Sequence, residues 1–299
     1  MKIKKQPPYN RPQILSISFL AIISCLLNFY VGSRGVFPID TFIHFDQGFR
    51  ILNGEHPVKD YWIVHGFLID YLQAIFFWTF GIEWSSYLLH ASIFNSIICV
   101  SFFVLLNRYL GLTIIESLCF SILIACLSYP ISGTPFLDLH SSFFSMLGIF
   151  SIILAIIKKK NFYYFVTSIL FTAAFFSKQV PAFYIILTSS IFLFYYATTT
   201  KNINMLIYYF SGGIFSCLLI LFILIINKIN FYDFVFQVFI FPKSIGDTRY
   251  ENYILNFKNI FLDFKFIYLF LFLYIGINLY NKKLKRINFL SDKIRILVL

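Results

Sequence analysis

Four acids and three histidines fall between Gly32 and Gly66, out of only 13 acids and 5 histidines in the whole 299-residue chain. The stretch reads GSRGVFPIDTFIHFDQGFRILNGEHPVKDYWIVHG and holds Asp40, His44, Asp46, Glu55, His56, Asp60 and His65. A carboxylate in such a loop can take the proton from an attacking hydroxyl. A neighbouring cation can then stabilise the charge that grows on a departing phosphate. Asp46 is the first choice for the base and Asp40, six residues earlier, the second. Asp46 lies in FDQGFRIL, where Phe45, Phe49 and Leu52 recur at near-helical spacing. That pattern predicts a short amphipathic helix lying on a membrane, with Asp46 near its start, where a carboxylate also serves as a cap. Asp40 follows Pro38-Ile39 and is equally at home in a turn.

The elements that must position this loop are set by composition. The chain is 59% hydrophobic and 12% charged, with mean hydropathy +0.80. No soluble domain buries that much apolar surface, so the fold class is all-α, a polytopic helical membrane protein. Apolar runs at Ile14–Val31, Trp84–Leu106, Leu112–Tyr129, Ser141–Ile157, Phe162–Phe176, Val180–Ala197, Met205–Ile226 and Phe264–Tyr280 give eight spans. A further run, Phe67–Phe80, is short and carries Asp70 and Gln73; it reads as a surface or re-entrant helix. Charge supports that choice. With Phe67–Phe80 not crossing and the N-terminus in the cytosol, the inner segments collect 15 bases and 2 acids and the outer ones 9 bases and 11 acids, as the positive-inside rule requires. The single domain then has a basic cytosolic tail at 1–13, an acidic outer loop at 32–83, a second outer loop at 227–263 and a basic cytosolic tail at 281–299. Net charge +11 is thus a matter of topology and not of nucleic-acid binding. The five cysteines lie within spans without a CxxC and read as small apolar packing residues. The run of apolar residues after the basic N-terminus reads as an uncleaved first span.

The order of first span, acidic loop and second surface helix, with FDQGFRILNGEHPVKDYWIVHGFLIDYLQAIFFWTFG between, resembles the first outer loop of GT-C-type membrane glycosyltransferases. These include protein O-mannosyltransferases and the aminoarabinose transferases of lipid A. The resemblance covers roughly residues 14–200. It implies that Asp46 is the catalytic carboxylate, with Gln47 standing where the family often has Glu, and that Asp60 and His65-Gly66 form the downstream part of the motif. It also implies that Lys178, at the outer end of a span, binds the carrier phosphate. Arg50 could do the same or pair with Asp46 or Glu55. His65 could orient Asp46 or touch phosphate. Asp138, in the turn SGTPFLDLH, could join the cavity. His90, inside a span, reads as an interhelical packing and hydrogen-bonding residue.

The activity this implies is transfer of a sugar from a polyprenyl-phosphate donor to a hydroxyl of a glycan, lipid or protein at the outer face of the inner membrane. A nucleotide-sugar donor is disfavoured, because no Gly-rich phosphate loop or DxD triplet occurs. No cofactor is implied, and Gln47 in place of a second carboxylate leaves the need for a divalent metal open. At 299 residues the chain reads as a short or truncated member. The rival readings are a transporter or flippase of lipid-linked glycan, with charges buried along a central path, and an inactive structural relative.

Overall fold

The computed structural model describes residues 8–36, 40–245, 258–262 and 264–284. They are helical and, among the described residues, contain no strand beyond an isolated bridge between Pro57 and Tyr61. The chain divides into a large unit, Met1–Ile240, and a small one, Phe241–Leu299. Large-unit helices are α1 (Arg11–Ser33), α2 (Ile43–Leu52), α3 (Leu68–Phe80), α4 (Trp84–Val104), α5 (Ile114–Leu127), α6 (Leu137–Lys158), α7 (Phe162–Ser177), α8 (Gln179–Thr200), α9 (Asn204–Ile226) and the short α10 (Phe231–Val235). The small unit contains α11 (Lys265–Leu284).

Local chemistry sets several ends. Asn10 caps α1 through a reciprocal box with Gln13 (2.9 and 3.2 Å), and Thr113 caps α5 the same way with Glu116. A π-helical turn, Leu105–Leu110, prolongs α4 until Gly111 turns left-handed. The FYDFVFQVFIF segment forms α10 and a following π turn, Phe236–Ile240.

Each of the eight runs read as spans is a helix. Six are long and apolar enough to cross a membrane among the described residues: α1, α4, α5, α6, α8 and α9, with α4 and α5 counted together with the turns that extend them. The described apolar parts of α7 and α11 are shorter. The packing is that of a membrane protein. Leu15, Ile115, Phe194 and Ile225 are exposed, while Ser24, Asn28, Ser92 and Asn95 are fully buried. Asn28 donates to Ser92 Oγ (2.9 Å) and Asn95 to the carbonyls of Ser24 (2.9 Å) and Ala125 (3.1 Å), so amides bind α1, α4 and α5 together.

Side-chain contacts sort the helix ends into two sets. At one end, Gln13 Nε2 donates to Asn107 Oδ1 (2.7 Å), Lys158 Nζ lies 4.8 Å from the Tyr109 ring, and Asn202 donates to Asn161 (3.5 Å). At the other, Asn28 donates to the Gly133 carbonyl (3.2 Å), Tyr87 to the Thr41 carbonyl (2.5 Å) and Ser141 to the Lys178 carbonyl (3.2 Å). The long helices from α1 to α8 therefore alternate in direction. Both ends of α3 sit with the second set. Phe67, just before it, packs on Phe176 at the end of α7 (5.3 Å), and its last carbonyl, Phe80, accepts from Ser86 in the first turn of α4 (3.1 Å). So α3 does not run the length of the bundle.

Candidate functional site

The apolar stripe expected on α2 divides, with Phe45 packed on Phe77 of α3 (4.8 Å) and Phe49 and Leu52 exposed. The buried residues of the helix are His44, Gln47 and Gly48, whereas Ile43, Phe49 and Leu52 are exposed. His44 and Gln47 are turned inward while Ile43, Phe49 and Leu52 face outward, an arrangement that is unfavourable in water and natural against lipid. Gly48 permits the close approach, because a Cβ there would meet Gln73 Cγ at 2.7 Å. Asp46 shares the exposed face. Its side chain is 58% exposed, and Arg50 Nε donates to its Oδ2 at 2.7 Å. It does not cap the helix: the capping position is Phe42, which has no side-chain bond to offer.

Arg50 also binds Glu55 Oε2 (3.0 Å) and stacks 5.6 Å from the Tyr61 ring. Its bond to the Asp46 carboxylate is the largest of the effects that raise its pKa. Asp40 ends its turn by accepting the Ile43 N–H on its backbone carbonyl (3.3 Å). Asp60 accepts the His56 backbone N–H (2.8 Å) and closes the small loop before α3. Lys178, between α7 and α8, is held by both oxygens of Asp138 in the first turn of α6 (2.7 Å each). The structure therefore brings Asp46 to Arg50 and Asp138 to Lys178 as two separate half-exposed pairs at the same end of the bundle.

Between these pairs lies a buried cluster that sequence reasoning did not assemble. His44 on α2, His65 in the connecting segment, Asp70 and Gln73 on α3, His90 on α4 and His140 on α6 are all buried. His44 Nδ1 lies 2.8 Å from Asp70 Oδ1, His90 Nδ1 lies 2.8 Å from Gln73 Oε1, and the Nε2 atoms of His90 and His140 are 3.0 Å apart. His65 stands edge-on to His44, ring centres 5.2 Å apart, and its Nδ1 donates to the Gly66 carbonyl (2.7 Å). Gly66 is glycine because a side chain there would overlap the Phe176 backbone.

Burial favours the neutral forms of His44, His65 and Asp70. It lowers His44 to about 4 and raises Asp70 to about 7. It also lowers His65, which lies within electrostatic reach of Asp70, His44 and Lys178. One local signal existed for part of this arrangement. Asp70 and Gln73, like His44 and Gln47, stand three residues apart, on one face of a helix.

No family model, curated protein or solved structure matches the chain.

Proposed function

We propose that the chain is a membrane glycosyltransferase using a polyprenyl-phosphate sugar donor and a hydroxyl acceptor on a glycan, lipid or protein. In this reading the chain spans the inner membrane eight times, with both termini cytoplasmic and with α2 and α3 at the outer face. The observation that supports it is the meeting of carboxylates and cations at one end of an apolar bundle. There two helices that do not cross, α2 and α3, accompany the Asp46–Arg50 and Asp138–Lys178 pairs. A lipid-borne phosphate travels at that depth, and a hydroxyl can approach it from water.

Asp46 takes the acceptor proton as the hydroxyl oxygen attacks the anomeric carbon. The glycosidic bond to phosphate breaks, and the polyprenyl phosphate leaves with the electron pair. Lys178 and Arg50 meet the charge that grows on it. Arg50 keeps Glu55 as a second anchor when it turns from Asp46 toward the phosphate. Asp40, Asp60, His65 and Asp138 shape the surroundings of these groups.

The test is the full chain in vesicles with a radiolabelled polyprenyl-phosphate sugar. Label moving to an acceptor, with release of polyprenyl phosphate, is the expected result; a donor that neither binds nor reacts with glycan, lipid or peptide acceptors contradicts it. The buried contact between His90 and His140 favours a second reading, a transporter of lipid-linked glycan, because it carries polar groups into two spans. That reading predicts donor crossing the vesicle membrane chemically unchanged.

A further inference from the structure

The side chains of His44, His65 and Asp70 come from three different segments and meet in the interior. One donor atom from each lies within 4.8 Å of the other two. The Asp70 carboxylate is incompletely satisfied: Oδ1 has His44, but Oδ2 is buried with no hydrogen-bond partner among the described residues. A buried carboxylate oxygen without a partner keeps its desolvation penalty uncompensated, so it calls for a cation or a proton donor.

His65 is prepared in the complementary sense. Because its Nδ1 donates to the Gly66 carbonyl, Nε2 is left as the free lone pair of the neutral ring. That outer-shell bond is the one that fixes the tautomer of metal-binding histidines. We propose that His44, His65 and Asp70 form a binding site for a divalent transition-metal ion of the zinc type. This goes beyond the transfer reading and does not rest on it.

The donor set decides the class of ion. Two imidazoles and one carboxylate suit Zn²⁺ and its first-row neighbours, whereas Mg²⁺ and Ca²⁺ prefer oxygen throughout. Zinc holds nitrogen and oxygen at about 2.0–2.2 Å, which sets neighbouring donors of a tetrahedron about 3.3 Å apart. The 2.8 Å between His44 and Asp70, and the 4.8 Å limit over the whole set, lie on either side of that separation. Closing the site requires a movement on the order of 1 Å by that measure, and His65 lies on the irregular segment before α3. An ion between His44 and Asp70 replaces their hydrogen bond and neutralises the orphaned carboxylate. With three protein ligands, the fourth position of a tetrahedral site stays open to water or another ligand. Tyr61, whose buried hydroxyl also lacks a partner among the described residues, lies within electrostatic reach of Asp70.

The experiment uses the full chain without a histidine tag, purified in detergent, stripped with EDTA and titrated with Co²⁺ while visible absorption is followed. Zn²⁺ and Mg²⁺ are then added as competitors. The expected result is uptake of about one Co²⁺ per chain with a ligand-field band, displaced by Zn²⁺ and not by Mg²⁺. The band should persist in His56→Ala, which alters the chain's remaining histidine outside the buried cluster, and disappear in Asp70→Asn and His65→Gln. Failure of the wild-type chain to take up the ion overturns the proposal whatever the variants do. So does uptake equal to wild type in both Asp70→Asn and His65→Gln.

Discussion

Removing His44 strands the carboxylate of Asp70. In the metal-free chain the imidazole supplies the one hydrogen bond of the Asp70 carboxylate among the described residues, at 2.8 Å, and both side chains are buried. Breaking such a pair from one side typically costs about 3–5 kcal/mol, because the remaining charge keeps its desolvation penalty. His44→Ala should therefore be severely destabilised, whereas the double variant His44→Ala/Asp70→Ala loses the stranded charge together with its partner. The double variant should fall short of the summed single effects by about 1.5–3 kcal/mol, the net worth of a hydrogen bond to a charged group.

The pH dependence follows from Asp70. Burial raises its folded pKa to about 7 from 3.8, so the folded chain binds that proton more tightly than the unfolded chain does. The stability this contributes is full below about 4 and is lost as pH rises through about 7. The penalty in His44→Ala should accordingly shrink when the pH is lowered from 8 to 5. The assay is unfolding of the detergent-solubilised, EDTA-treated chain, followed by tryptophan fluorescence, for the four members of the cycle at both pH values. Effects that add within about 0.5 kcal/mol, with no pH dependence in His44→Ala, would refute the buried pair.

A side chain at Gly66 meets the Phe176 backbone, which has no flexible end to yield, so Gly66→Ala should lower the melting temperature by the equivalent of about 1–3 kcal/mol. Gly35→Ala meets nothing within 4 Å and should melt like wild type; equal melting of both variants would refute the close contact. Lys178→Ala should weaken binding of the polyprenyl-phosphate donor, and Lys178→Arg should keep part of it because the charge remains. Equal donor affinity in wild type and Lys178→Ala would leave the ion pair with Asp138 as that residue's whole role. Reporter fusions after Lys160 and Lys201 should report the cytosol and a fusion after Gly54 the outer side; a periplasmic signal at Lys160 would contradict the proposed orientation.

The helices were legible because lipid-facing helices carry their apolar content in the sequence itself. The eight runs from Ile14 to Tyr280 each coincide with a helix, though α7 and the described part of α11 fall short of the length that marks a span by itself. The spacing marked an apolar stripe on α2, and Phe49 and Leu52 do lie on its exposed face. What it did not show is that His44, Gln47 and Gly48 pack inward against α3. Hydrophobic periodicity locates a stripe but does not say what covers the other side.

The buried cluster was hidden for a different reason. Its partners are 26 residues apart in the case of His44 and Asp70 and 50 in the case of His90 and His140. Local patterns carry no information at that range. Asp70 and Gln73 were noted only as polar residues that shorten an apolar run. His90 does bond between helices, yet its neighbours Gln73 and His140 link it to a larger polar assembly. The ion pairs were closer to the surface of the sequence: Asp46 with Arg50 is four residues along one helix, a spacing that forms contacts by itself.

The central claim, that a carboxylate on α2 serves as the base of a sugar transfer, is tested most directly by the rate in Asp46→Asn. The substitution keeps the size of the side chain and a bond to Arg50 but cannot accept a proton at neutral pH. Loss of a general base costs typically about 10²–10⁴-fold. In reconstituted vesicles, the variant should bind the polyprenyl-phosphate sugar like wild type and transfer it at least about a hundredfold more slowly, with Asp40→Asn affected less. Transfer at the wild-type rate in Asp46→Asn, in an assay where the wild-type chain is active, would contradict the account.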